Sequence, residues 1–248
     1  MFNYLIKIEY DGTKFVGWQY QKNGPSIQEK IERAIKKILN CKKKIKINGA
    51  GRTDKGVHAF CQYANFKTRK EITDKKKFIS SLNFFLKRDL ISILEIKRKN
   101  IDFHSRYSAK ERIYEYFIIN REGSLSIFKN KAWHIKQKLN LNLLKKGANI
   151  LEGKHDFSTF RSSSCGARSP IKNMKSVNVT KKGEKIFLIF KSQSFLQNQV
   201  RSMVGCLKYL STNKWDLKKF KQSFLSRNRK NCAPPAPACG LYLKKINY

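Results

Sequence analysis

From Tyr4 to Tyr10 the chain alternates, with Ile6, Ile8 and Tyr10 on one face and Lys7 and Glu9 on the other. That period of two predicts a half-buried strand. Ser26 and Glu29 follow Pro25 at capping-box spacing and open a predicted helix. Its apolar stripe is Ile27, Ile31, Ala34, Ile35, Ile38 and Leu39. Alternation returns at Lys44-Ile45-Lys46-Ile47 and again at Phe60, Gln62, Ala64 and Phe66, predicting two more strands. Asp74 can cap a second helix with Phe78, Ile79, Leu82 and Phe85 on one stripe, and Leu90 to Ile96 reads as a strand. The order is β-α-β-β-α-β, the split ferredoxin-like motif.

Lys97 to Asn100 is a charged joint, which divides the chain into residues 1–100 and 101–248. Beyond it, Arg112 to Ile119 reads as a strand with Tyr114, Tyr116 and Ile118 on one face. A helix is expected near Leu141 to Leu151, with Leu144, Ala148 and Leu151 in register. Asn173 to Thr180 and Glu184 to Lys191 form a predicted hairpin joined at Lys181-Lys182-Gly183. A helix from about Leu196 to Leu210 buries Leu196, Val200, Met203, Val204 and Leu207; a shorter one follows Asp216, and a strand closes the chain at Leu241 to Ile246. The second half repeats the first in element order alone, which predicts an α/β (α+β) fold.

Charge changes the picture most. Lysine and arginine number 54 against 17 acidic residues, a net +37, which favours a polyanionic partner whose phosphates give up their counterions on binding. Lys, Ile and Asn are abundant throughout, so part of that charge can also be compositional drift. Met1 to Lys7 has no apolar signal core, and no uninterrupted apolar run approaches membrane-spanning length. A reduced, cytoplasmic protein without a membrane partner is expected. Six cysteines without a C-x-x-C pair and four histidines without ligand spacing predict no structural zinc.

The densest chemistry lies at Asn48-Gly49-Ala50-Gly51-Arg52-Thr53-Asp54-Lys55-Gly56-Val57-His58-Ala59. Glycines here let the backbone approach a ligand closely. They bracket one carboxylate, Asp54, among Arg52, Lys55 and His58. Such surroundings should hold an aspartate ionised. An acidic group in so basic a chain is better placed to act on a bound polyanion than to attract one. The plainer alternative is an aspartate capping a turn.

Five segments of the chain resemble those of a known family. Gly51-Arg52-Thr53-Asp54-Lys55-Gly56-Val57-His58 resembles the GRTDxGVH signature of the tRNA pseudouridine synthase A (TruA) family. Tyr10 to Gln19 resembles its YDGxxFxGWQ segment, suited either to packing behind a catalytic loop or to stacking on a base. Phe103 to Ala109 is similar to FHARFSA, Phe195 to Gly205 to F-x-x-x-x-V-R-x-x-V-G, and Ala233 to Leu243 to PPAPAxGLYL with Cys239 at the variable position. One departure is Lys87 in Asn83 to Asp89, where the family carries proline; a turn is expected there.

The resemblance implies two ferredoxin-like halves whose antiparallel or mixed sheets meet at a central active-site cleft. It implies an isomerase that converts uridine to pseudouridine on the 3′ side of the tRNA anticodon stem-loop. No metal or small-molecule cofactor is implied, and the family's members are homodimers. Asp54 would be catalytic, either attacking C1′ or removing the C2′ proton. Tyr114 would pack on the target base or relay the C5 proton, and Arg201 would hold the carboxylate bidentately. Arg52 would help turn the uridine out of the stack, or contact a phosphate. His58 is read as structural or RNA-contacting. The rivals are a non-catalytic RNA-binding module, which leaves Asp54 without a purpose, and a metal-dependent nuclease, which lacks a second carboxylate near the loop.

Overall fold

The computed structural model describes every residue, Met1–Tyr248. Two compact units emerge: Met1–Lys110 with Leu243–Tyr248, and Glu111–Tyr242.

The first unit contains β1 (Phe2–Tyr10), α1 (Ile27–Ile38), β2 (Ile47–Gly49), β3 (His58–Thr68), α2 (Lys75–Leu86) and β4 (Ile91–Lys99). Its sheet runs β4-β1-β3 with β2 on β3, and every one of these pairings is antiparallel. That is the split β-α-β-β-α-β order expected from periodicity. β1 is central in this sheet; Ile6, Ile8 and Tyr10 are buried as expected and Glu9 is exposed, while the second face is buried at its start, at Asn3 and Leu5. Asn3 earns its place through hydrogen bonds: Nδ2 donates to the carbonyls of Asn100 and Phe103, and Oδ1 accepts from Asn65 Nδ2.

Three local expectations shift for identifiable reasons. Strand pairing starts at Ile47 instead of Lys44, because Ile47 N–H donates to Glu32 Oε1 at 3.1 Å. Glu32 is a buried carboxylate on α1 that also accepts from Gln28 Nε2. On α2 the buried stripe is Phe78, Leu82 and Leu86, while Phe85 is 37% exposed under the ammonium of Lys37. The capping box is half made: Ser26 Oγ accepts from Glu29 N–H, but the Glu29 carboxylate pairs with Arg33. Lys87 begins a single 3-10 turn, Lys87–Asp89, as its position in place of proline predicted. Asn83 then fixes β4 by bonding both the N–H and the carbonyl of Ile93.

The second unit contains β5 (Glu111–Asn120), β6 (Trp133–Ile135), α3 (Leu141–Ile150), β7 (Gly153–Asp156), β8 (Ile171–Lys182), β9 (Lys185–Ser192), α4 (Gln199–Ser211) and α5 (Leu217–Leu225). The strands run β5-β9-β8-β7, with β6 parallel to β5, so the fold is mixed α/β. Here β5-α3-β8-β9-α4 repeats the split order, with β9 antiparallel to both neighbours. β8 runs to Lys182, past the expected Thr180, and pairs there with Lys185, leaving a two-residue turn. β10 (Leu241–Asn247) begins in this unit; from Leu243 on it belongs to the first, where it lies beside β3.

Candidate active site

The loop that carries Asp54 joins β2 to β3, and its backbone is tied down at almost every step. Ala50 N–H donates to Tyr63 O at 2.7 Å, and Gln62 Nε2 donates to Gly51 O at 2.8 Å. Tyr10 and Thr53 share a buried hydroxyl–hydroxyl bond of 2.7 Å. Thr53 O accepts from Trp18 N–H, and Asp54 O accepts from Val57 N–H to close a turn. Gly17 lets the segment after β1 come this close: its φ is +124°, and an added Cβ would lie 2.7 Å from Thr53 O. Only glycine accommodates both conditions.

This settles the two uses left open for Tyr10 to Gln19. Phe15 and Trp18 are each 3% exposed, and the Trp18 ring leans on Tyr10 at 6.2 Å between centroids. They pack behind the loop and are not presented to a base. The loop buries Thr53 and Val57, leaves Asp54 half-buried, and exposes Arg52 and Lys55. A rigid support therefore presents one carboxylate beside two exposed cations.

His58 is 2% exposed, which removes the RNA-contact reading and leaves the structural one. Its Nδ1 lies 3.1 Å from Gly12 N and 3.0 Å from Asp11 Oδ1. One nitrogen cannot accept from the first and donate to the second at once, so the two contacts belong to different protonation states. Either one fastens β3 to the turn after β1.

Tyr114 and Arg201 stand in the second unit. Tyr114 lies on β5 opposite Phe190, 7% exposed, with its ring edge-on to Phe195 at 5.0 Å. Arg201 is half-buried in the first turn of α4. Its Nε donates to Ala236 O at 2.7 Å and its Nη1 to Asn198 Oδ1 at 3.2 Å. Ala236 N–H returns a bond to Arg201 O at 2.9 Å. Asn198, the residue before the helix, adopts φ +61° and spends its side-chain oxygen on Arg201 instead of capping the helix. The guanidinium is thereby oriented from two sides, with further N–H donors still to place.

Sequence reasoning missed this reciprocal tie between α4 and the Ala233-Pro234-Pro235-Ala236-Pro237 run. A signal was present, since three prolines in four residues cannot pair as a strand and must be held by other groups. Tyr116 was also missed: buried on β5, it donates its hydroxyl to Pro237 O at 2.7 Å. Burial pushes its phenol well above the usual tyrosine range, in keeping with a hydroxyl that holds its proton and donates to Pro237. No group of three or more His, Cys, Asp or Glu side chains is arranged to hold a metal ion.

An α/β protein of this charge, presenting one carboxylate and two cations on a braced loop, has the features of an enzyme acting on a polyanion. The family model described as tRNA pseudouridine synthase matches residues 6–108 and 148–248. The tRNA pseudouridine synthase A of Pelagibacter ubique (strain HTCC1062) is 54% identical over 248 residues, covering all of both chains. Those of Maricaulis maris (strain MCS10) and Neorickettsia sennetsu (strain ATCC VR-367 / Miyayama) are each 42% identical; alignment covers 99% of this chain in both, and 97% and 99% of those relatives. The chain belongs to the tRNA pseudouridine synthase family and is an isomerase.

Proposed function

We propose that this enzyme acts on uridines at the 3′ side of the anticodon stem-loop, as a homodimer in the cytoplasm. We further propose that residues 1–100 carry the catalytic carboxylate and residues 101–248 the tyrosine and arginine that serve it. The observation that carries the site assignment is the half-buried Asp54 on a loop braced by buried Thr53 and Val57 and by backbone hydrogen bonds. The reaction breaks N1–C1′, turns the base, joins C5 to C1′, and moves the C5 proton away while N1 gains one. Substrate and product are isomers, so no oxidant, reductant or group donor is consumed. Asp54 attacks C1′ or takes the C2′ proton. Tyr114 lines the base, Arg201 binds at the reacting centre and orients the carboxylate, and exposed Arg52 meets the strand from which the uridine is drawn.

Incubation with tRNA in EDTA, followed by pseudouridine mapping, tests the reading. Conversion on the 3′ side of the anticodon stem-loop is expected, with no loss to the chelator. Conversion only elsewhere would refute the site preference, and strand cleavage restored by magnesium would favour a nuclease.

Two further outcomes are expected. Arg201→Lys keeps the charge but loses the planar fork that meets Ala236 and Asn198, so turnover should fall on the order of tenfold to a hundredfold with some activity left. An unchanged kcat would remove Arg201 from the site. Binding of tRNA should weaken with a log–log salt slope of several units if many phosphates are neutralised. A nearly flat dependence would make the +37 compositional drift.

A further inference from the structure

Two cysteines outside the candidate site lie within reach of each other. Cys206 is buried in the middle of α4, and Cys232 is half-buried just after a 3-10 turn, Arg229–Asn231. Their sulfurs are 3.5 Å apart. A disulfide needs about 2.0 Å between sulfurs, so closing the gap takes only a small side-chain movement. The surroundings also distinguish the two thiols. Arg229 Nη1 points at Cys232 Sγ from 3.2 Å and is itself steadied by Ser202 Oγ at 2.7 Å. Cys206 Sγ instead accepts the N–H of Ala233 at 3.3 Å.

The titration directions agree with that geometry. The bond from Cys206 and the Arg229 guanidinium hold Cys232 below the usual thiol range, against the opposing effect of burial. The same bond and burial push Cys206 up. Either sulfur can donate in this contact; with Cys206 as the donor and the Arg229 guanidinium alongside, Cys232 gains thiolate character, and it is the thiolate that reacts with electrophiles. Cys165 also titrates low, but Sγ there meets the N–H of Gln197 and has no second thiol beside it.

We propose that Cys232 is a peroxide-reactive thiol and Cys206 its resolving partner. The Cys232 thiolate attacks one oxygen of hydrogen peroxide, the O–O bond breaks, and hydroxide leaves, giving Cys232 sulfenic acid. The Cys206 sulfur then attacks the Cys232 sulfur; the S–O bond breaks and water leaves with the Cys206 proton. Two thiols are oxidised and one peroxide is reduced. The resulting bridge fastens the 232–236 segment to α4, where Ala236 and Arg201 already exchange hydrogen bonds.

Near-stoichiometric hydrogen peroxide on the full-length protein should lower the titratable thiols from six to four. Non-reducing peptide mapping should find Cys206 joined to Cys232, and dithiothreitol should reverse the link. In Cys206→Ser, the sulfenic acid on Cys232 should persist and be trapped by dimedone; in Cys232→Ser, no adduct should form on Cys206. Both cysteines remaining alkylatable in peroxide-treated wild type would overturn the proposal, with no variant required. A linked peptide joining Cys232 to any residue other than Cys206 would overturn it equally.

Discussion

Asp54→Asn is expected to abolish pseudouridine formation while leaving tRNA binding intact or slightly tighter. Asparagine keeps the size of the side chain but is neither a nucleophile nor a base, so both routes at C1′ close together. The loop should keep its shape, because its braces run through the backbone of Thr53, Asp54 and Val57 and through the Tyr10–Thr53 hydroxyl pair. Loss of a group acting directly on the reacting atoms costs on the order of 10⁴-fold or more in turnover. Binding gains slightly from removal of one negative charge near phosphates. The measurement is single-turnover conversion with saturating enzyme, paired with a tRNA binding isotherm. Near-normal turnover of the variant on several tRNAs would end the case for this site. Equal losses in binding and turnover would instead mean that Asp54 holds the loop.

Element order was readable from the chain because amphipathic period is a local property. The stripes of α1 and α3 and the alternation of β1 and β9 each follow from burial of one face. What could not be read were decisions made by distant partners. Glu32 on α1 claims the N–H of Ile47 and so delays β2, although the Lys44-to-Ile47 pattern itself suits a strand. Leu86 replaces Phe85 on the buried face of α2, a difference of one position at a helix end where both choices satisfy the period. Asn3 and Asn65 are polar, yet they fill a covered face of the sheet because each is satisfied by the other and by the Phe103 carbonyl. At the site, resemblance pointed to Asp54, Arg52, Tyr114 and Arg201, but the burial of His58, Phe15 and Trp18 behind the loop needed three-dimensional contacts. Composition alone treats those aromatics as equally fit to stack on RNA.

Gly205→Ala is the substitution expected to cost most in stability. In an exposed helix this change would stabilise by about 1 kcal/mol, since alanine is the better helix former. Gly205 is not exposed: a Cβ built there would sit 2.1 Å from the Pro234 carbonyl oxygen, and the clash is with backbone. Relief requires the 233–237 run to move off α4, against the Ala236 N–H to Arg201 O bond and the Arg201 Nε to Ala236 O bond. Overpacking of this kind costs roughly 2–3 kcal/mol. In a unit of this size, that corresponds to a fall in apparent melting temperature on the order of 5–10 °C. Turnover should drop as well, because the same movement withdraws the acceptor that orients Arg201; tRNA binding, spread over many lysines and arginines, should change little. Thermal denaturation of the variant beside the wild type decides the stability claim. An unchanged or raised melting temperature would show that the proline run yields freely at this contact, and Arg201 would then need another source of its orientation.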